Sequence, residues 1–173
     1  MLHVTKSVTI NRTPEAVYRF WRDFSNLPQF MIHVRSIAAT GDRSHWVVAA
    51  PAGQTVEWDA EIVEEIPGRS IHWRTVAEAD VRHGGQVEFH PATGNRGTVA
   101  KIHLSYEAPA GKAGAAIAKL FGEEPEIQVR EDLRRFKRLL ETGELPTTEG
   151  QPSGRDEEAR PEPEAESTRE VRP

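Results

Sequence analysis

Residues 125 to 141 carry Val129, Leu133, Phe136 and Leu140 at helical spacing, one narrow apolar stripe. The other faces hold Arg130, Glu131, Asp132, Arg134, Arg135, Lys137 and Arg138. A helix so divided must lie on something apolar and show its charge to water. Upstream run at least six strand-like segments with alternating apolar residues, enough for a curved sheet. The pattern therefore predicts a sheet that wraps this helix. The functional question is whether side chains fill the space between them or a ligand does.

The helical run begins earlier, with Ala113, Ile117, Leu120 and Phe121, and is interrupted at Gly122-Glu-Glu-Pro125. Ile117 and Val129 are twelve positions apart, and at ~100° per residue a straight rod would offset them by ~120°. A kink lets both stripes face the sheet. It divides the run into a small-residue lid, Ala113 to Phe121, where a ligand would enter, and a clamp, Pro125 to Glu141.

Leu2 to Ile10 reads as a strand with Val4, Val8 and Ile10 on one face. Thr13 then suits a helix N-cap and Pro14 the first helical position. Val17, Phe20, Trp21 and Phe24 follow at i, i+3, i+4 and i+7, and a second short helical turn starts near Ser25. Strand patterns cover 31–40, 45–50, 55–66, 70–76, 85–90 and 98–106, separated by turn pairs such as Gly41-Asp42 and Pro67-Gly68. In 55–66, Val56, Trp58, Ala60 and Ile62 alternate strictly with Thr55, Glu57, Asp59 and Glu61. Residues 77–84 lack alternation and read as a loop. Sheets apolar on one face and polar on the other are typically antiparallel.

Composition removes several kinds of chemistry. There is no Cys, so disulfides, thiolate nucleophiles and Cys-based zinc sites are excluded. No apolar run approaches the ~18 residues of a membrane span, and no signal pattern opens the chain, so a cytoplasmic protein is expected. Of the net charge of -5, residues 147–173 carry -4, from eight acids and four arginines. Residues 1–146 are then nearly neutral, with no basic field for nucleic acid. The tail 147–173 is rich in Pro, Glu, Arg and Ser and is expected to be disordered.

The seven His residues, at 3, 33, 45, 72, 83, 90 and 103, form no i, i+4 pair and no HExxH-like unit, so no metal site or cofactor is expected. His72, His90, Lys101 and His103 fall on the solvent face by alternation. His33, Arg82 and His83 lie near predicted loops or strand ends and read as solvated, with the rim of a pocket as the alternative. Glu57, Asp59 and Glu61 form a carboxylate row opposite Trp58, a solvated row expected to pair with Arg and Lys on neighbouring strands. No nucleophile elbow, P-loop or GxGxxG is present, and no catalytic residue is assigned.

The order of elements, with three local stretches, resembles the helix-grip fold of the START-like (SRPBCC) superfamily. The stretches are Thr13 to Met31, Val56 to Ile62 with Ile71 to Arg74, and Gly111 to Phe121 with Arg130 to Lys137. The resemblance covers residues 2–145 and points to the polyketide cyclase/dehydrase and coenzyme Q-binding branches. It implies an α+β domain over residues 1–146, with about seven antiparallel strands curved around a long, kinked C-terminal helix and two short helices after the first strand. It also implies a cavity between sheet and helix for a hydrophobic small molecule, a lipid, quinone or polyketide-like compound. The candidates to line it are Trp21, Phe24, Met31, Trp46, Trp58, Trp73, Phe89, Tyr106, Ile117, Phe121, Leu133 and Phe136. A polyketide aromatase/cyclase or dehydratase is the first alternative. It requires an ionisable or hydroxyl group in the cavity, where Tyr106, Arg74 and Arg82 are the groups on offer and Arg74 faces outward. A closed-core interaction module is the second.

Overall fold

The elements follow the chain as β1 (Leu2–Ile10), α1 (Pro14–Arg22), a 3-10 turn (Phe24–Gln29), β2 (Val34–Thr40), β3 (Arg43–Ala49), β4 (Thr55–Ile66), β5 (Ser70–Thr75), β6 (Arg82–Pro91), β7 (Thr98–Glu107) and α2 (Pro125–Thr142). The computed structural model describes residues 2–79, 81–107 and 124–143, with positions 111, 114, 115 and 118. The expected lid, its kink, Ile117 and Phe121, and the acidic tail lie outside the described residues.

All seven strands pair antiparallel in one sheet, in the order β1-β7-β6-β5-β4-β3-β2. Every neighbouring pair except β1 with β7 is also consecutive in sequence, so short connections build most of the sheet. β1 joins the last strand, β7, through nine facing pairs, Leu2 to Tyr106 through Ile10 to Thr98. Register shifts at Val34/Ser36 in β2 and Ile62/Glu64 in β4 mark bulges, which bend a strand and increase its twist. Alternation then assigns the faces. Val87, Phe89, Ala100, Ile102 and Leu104 are buried on the concave side, while His72, Arg74 and Glu57 are exposed on the convex side.

Local chemistry sets the helix ends. Thr13 caps α1, its hydroxyl accepting from the Ala16 N–H at 3.2 Å, with Pro14 next. Asp23 caps the 3-10 turn by accepting from Ser25 N at 3.1 Å. α2 starts at Pro125 and ends at Gly143, whose φ of 80° closes the helix by an N–H bond to Leu139 O at 2.8 Å. Its stripe of Val129, Leu133 and Phe136 is buried, as the spacing predicts.

α2 is held on the sheet by polar ties along its length. Lys6 meets Glu126 at 3.3 Å, and Lys137 Nζ donates to Thr9 O at 2.6 Å. At its C-terminal end Asn11 N donates to Glu141 at 2.7 Å. Helical spacing alone puts Arg135 among the solvated basic residues. It is instead largely buried, pairing with Asp132 and donating from Nε to Phe30 O at 3.1 Å. It ties the helix to the 3-10 turn.

β6 corrects the sequence reading. It begins at Arg82, not Gly85, so His83 and Gly84 belong to the sheet and not to a loop. Glycines 84 and 85 carry no side chain, which hides the alternation from sequence. Their reason is steric at Gly85: a Cβ there would lie 2.3 Å from Trp73 Cζ2, so the bare backbone is the seat of the indole ring.

Candidate functional site

The concave face between the sheet and α2 is paved with aromatic rings. Trp46 stacks on Trp58, with centroids 6.1 Å apart and planes at 20°. Phe24, from the 3-10 turn, meets Trp46 edge-on at 6.2 Å and Trp73 at 5.4 Å. Trp73 continues to Trp21 at 6.3 Å, and Trp21 meets Phe136 of α2 edge-on at 5.1 Å. Phe30 completes the far end, 4.7 Å from Phe136. One row of rings thus runs from β4 beneath α1 to α2. Edge-to-face and offset contacts of this kind add about 0.5–1.5 kcal/mol each beyond area burial.

The row reaches a polar group at its β4 end. His83 is 6% exposed, and its ring lies 5.7 Å from Trp46 and 6.0 Å from Trp58. Burial lowers its pKa to about 4, so the imidazole is neutral at pH 7. A neutral imidazole offers one donor and one acceptor nitrogen. Directly across the β6–β7 pair stands Tyr106, also buried, its phenol pKa raised by burial. The His83 backbone N–H donates to Thr75 Oγ1 at 3.3 Å. Ser44 is a further buried hydroxyl at this end, and it accepts from Trp46 Nε1 at 2.9 Å.

All ten described candidates from the sequence are buried, in a single cluster: Trp21, Phe24, Met31, Trp46, Trp58, Trp73, Phe89, Tyr106, Leu133 and Phe136. Phe89 sits apart from the row, its ring against Tyr18 at 6.0 Å. His83 and Ser44 escape a sequence reading. His83 reads as solvated when its strand reads as loop; the period-two series His83, Gly85, Val87, Phe89 is the signal that could have found it. Arg74 and Arg82 are exposed, as are Glu57 and Asp59, while Glu61 is half-buried. Glu57 and Asp59 both engage His45, at 2.8 and 2.7 Å, in place of the expected Arg or Lys partners, and these bonds raise the His45 pKa. Glu61 meets Arg43 at 3.5 Å and Arg74 at 3.8 Å. Among the described residues no group of three or more His, Cys, Asp or Glu could hold a metal.

A recess of about 450 Å³ opens toward the other side of the sheet. It is lined by Glu61, His72, Arg74, Arg82, Gly84, Ser105 and Glu107, with Val76, Ala77 and Ala79 of the β5–β6 connection, and it touches Trp73, Thr75 and His83. Its charges are of both signs and open to water, whereas small-molecule sites are enclosed and mostly apolar. The concave aromatic row fits that description better.

Comparison with known proteins follows the same lines. The sequence profile of a family described as "Polyketide cyclase / dehydrase and lipid transport" matches residues 10–134. An uncharacterized 17.2 kDa protein of Streptomyces lincolnensis is 30% identical over 142 residues, 82% of this chain and 91% of that one. A crystal structure from Deinococcus radiodurans is 38% identical with a TM-score of 0.68, covering 83% of this chain and 100% of that one. A START superfamily protein from Mycobacterium smegmatis shares the fold at 18% identity and a TM-score of 0.59, covering 80% and 98%.

Proposed function

The chain belongs to the polyketide cyclase/dehydrase and lipid transport family, and from that membership we propose that it binds a hydrophobic small molecule, a lipid, quinone or polyketide-like compound, between the concave face and α2. The observation that carries this reading is His83. A core that only fills space has no use for an imidazole, because burial removes its hydration and leaves an ionisable group among Trp rings. An aromatic-lined binding face does have a use for it, as one of the few placed polar groups that orient a ligand. Membership of this family supports a hydrophobic-ligand or cyclase-like role in general; His83 supports this face as its place.

The test is uptake of N-phenyl-1-naphthylamine by the purified chain, read as energy transfer from tryptophan to probe. Saturable one-to-one uptake, displaced by a long-chain fatty acid or a quinone, is expected. Folded protein that takes up neither probe nor competitor would overturn the reading.

A second reading, cyclase or dehydratase chemistry, draws on the facing pair His83 and Tyr106. The imidazole, neutral at pH 7, has a nitrogen lone pair with which to accept a proton, as a weaker base than an ordinary His, and a phenol with a raised pKa remains protonated and able to donate. This reading expects turnover of a poly-β-keto thioester that His83→Phe abolishes while probe uptake persists. Equal turnover in His83→Phe would remove it.

A further inference from the structure

Among the described residues, the concave face holds buried indole donors that have no acceptor. An indole nitrogen donates and never accepts. Trp46 has an acceptor built in, Ser44 Oγ at 2.9 Å. The nitrogens of Trp21, Trp58 and Trp73 find no acceptor among the described residues, and all three are sealed from solvent. The hydroxyl of Thr98, buried on the same sheet, is engaged with Arg12 O at 2.7 Å. Trp21 is enclosed by Phe30, Trp73 and Phe136 deep under α2. Trp58 and Trp73 stand nearer the polar end, Trp58 beside His83 and Trp73 seated on Gly85.

We infer that Trp58 and Trp73 are specificity-determining residues that select a ligand whose buried part carries an acceptor oxygen of the ketone or quinone kind, over a hydrocarbon of the same shape. The inference rests on the reading that the concave face is the binding face. A buried donor without an acceptor carries a penalty that a ligand oxygen removes and a ligand C–H does not. Ligand entry replaces ring–ring contacts by ring–ligand contacts of similar worth, so the oxygen supplies the difference. Sites that hydrogen-bond their ligand reject the analogue lacking that group far more strongly than apolar pockets reject a missing methylene.

The experiment uses 9-fluorenone and fluorene, flat tricyclic probes that differ by one carbonyl, titrated calorimetrically into the full chain and into Trp58→Phe and Trp73→Phe. Fluorenone is expected to bind about tenfold more tightly than fluorene. Either substitution is expected to narrow that gap, weakening fluorenone more than fluorene, because both probes lose the same ring contact and only fluorenone loses a donor. Equal affinities in the wild type, with both probes bound, would overturn the inference and leave the binding reading standing. A gap that survives in both variants would also overturn it. Failure of the folded wild type to bind either probe would remove the inference together with the binding reading. If a variant does not fold, the indole ¹⁵N–¹H resonances of the wild type decide the same question. The Trp58 or Trp73 indole proton should move downfield, the direction of hydrogen bonding, with fluorenone and not with fluorene, and identical responses to both probes would overturn the inference.

Discussion

His83 is a buried imidazole set beside the rings of Trp46 and Trp58. Its folded pKa of about 4 lies below the ordinary value of 6.5. Above pH 6.5 the imidazole is neutral in both states and contributes no pH dependence. As pH falls from 6.5 toward 4, the unfolded chain takes up a proton that the folded chain refuses, so stability is lost over that window, on the order of 3 kcal/mol. Asp132 acts in the opposite sense. Burial raises its pKa to about 7, so its contribution is fully present below the ordinary value of 3.8 and lost as pH rises through 7. The pH profile of the wild type alone therefore blends two opposed effects. The difference in urea stability between wild type and His83→Phe isolates the first: it should shift in favour of the variant from pH 6.5 to 4.5, and a pH-independent difference would contradict the burial of a neutral ring. Gly85 gives a second prediction at this scale. Gly85→Ala puts a methyl group against the Trp73 ring, and should destabilise by about 1–3 kcal/mol, read as a lower urea midpoint at unchanged slope.

At the scale of elements, the strands and α2 are legible in the sequence wherever alternation or helical spacing is carried by large side chains. Thr55–Ile66 and Val129, Leu133, Phe136 are the clear instances, and β1, β4 and the body of β7 run as read. The start of β6 is not legible, because residues 84 and 85 have no side chains to alternate; cross-strand pairing with β5 and β7 and the seat for Trp73 decide it. The role of Arg135 is hidden for another reason. It flanks the apolar stripe among other charged residues, and its tie to Phe30 O forms only when α2 docks. The tie makes a sharp prediction. Arg135→Gln removes the donor to Phe30 O and the cation beside Asp132, whose carboxyl, with a pKa already raised to about 7, then takes up a proton, so the loss at pH 7 should be about 1–3 kcal/mol, whereas the double variant Asp132→Leu/Arg135→Met should stay near the wild type. Equal losses in single and double variants, by urea denaturation, would show the pair to be incidental.

Over the whole molecule, one curved sheet presents two faces with different chemistry. The convex face carries pairs such as His45 with Asp59 and Glu57, exposed and screened, and a recess open to water. The concave face carries the aromatic row, a neutral imidazole, and indole donors without acceptors among the described residues. The fold and the burial of the Trp rings on one face can be read from the sequence, because Trp spacing on alternating strands is a one-dimensional signal. The polar end of the candidate site cannot, because His83 and Tyr106 face each other only through the β6–β7 register, and Ser44 of β3 is linked to them only through Trp46, whose indole N–H it accepts and whose ring lies beside His83.

A ligand on the concave face and a ligand in the convex recess leave different marks. Methyl-labelled protein titrated with 9-fluorenone, followed by methyl and amide NMR, tells them apart. The methyl signals of Val87, Ile102, Val129 and Leu133, all buried between sheet and α2, are predicted to move at saturation, while the amides of Ser105 and His72 at the convex recess stay in place. Movement confined to Ser105, His72 and their convex neighbours, with the buried methyl groups unchanged, would contradict binding on the concave face.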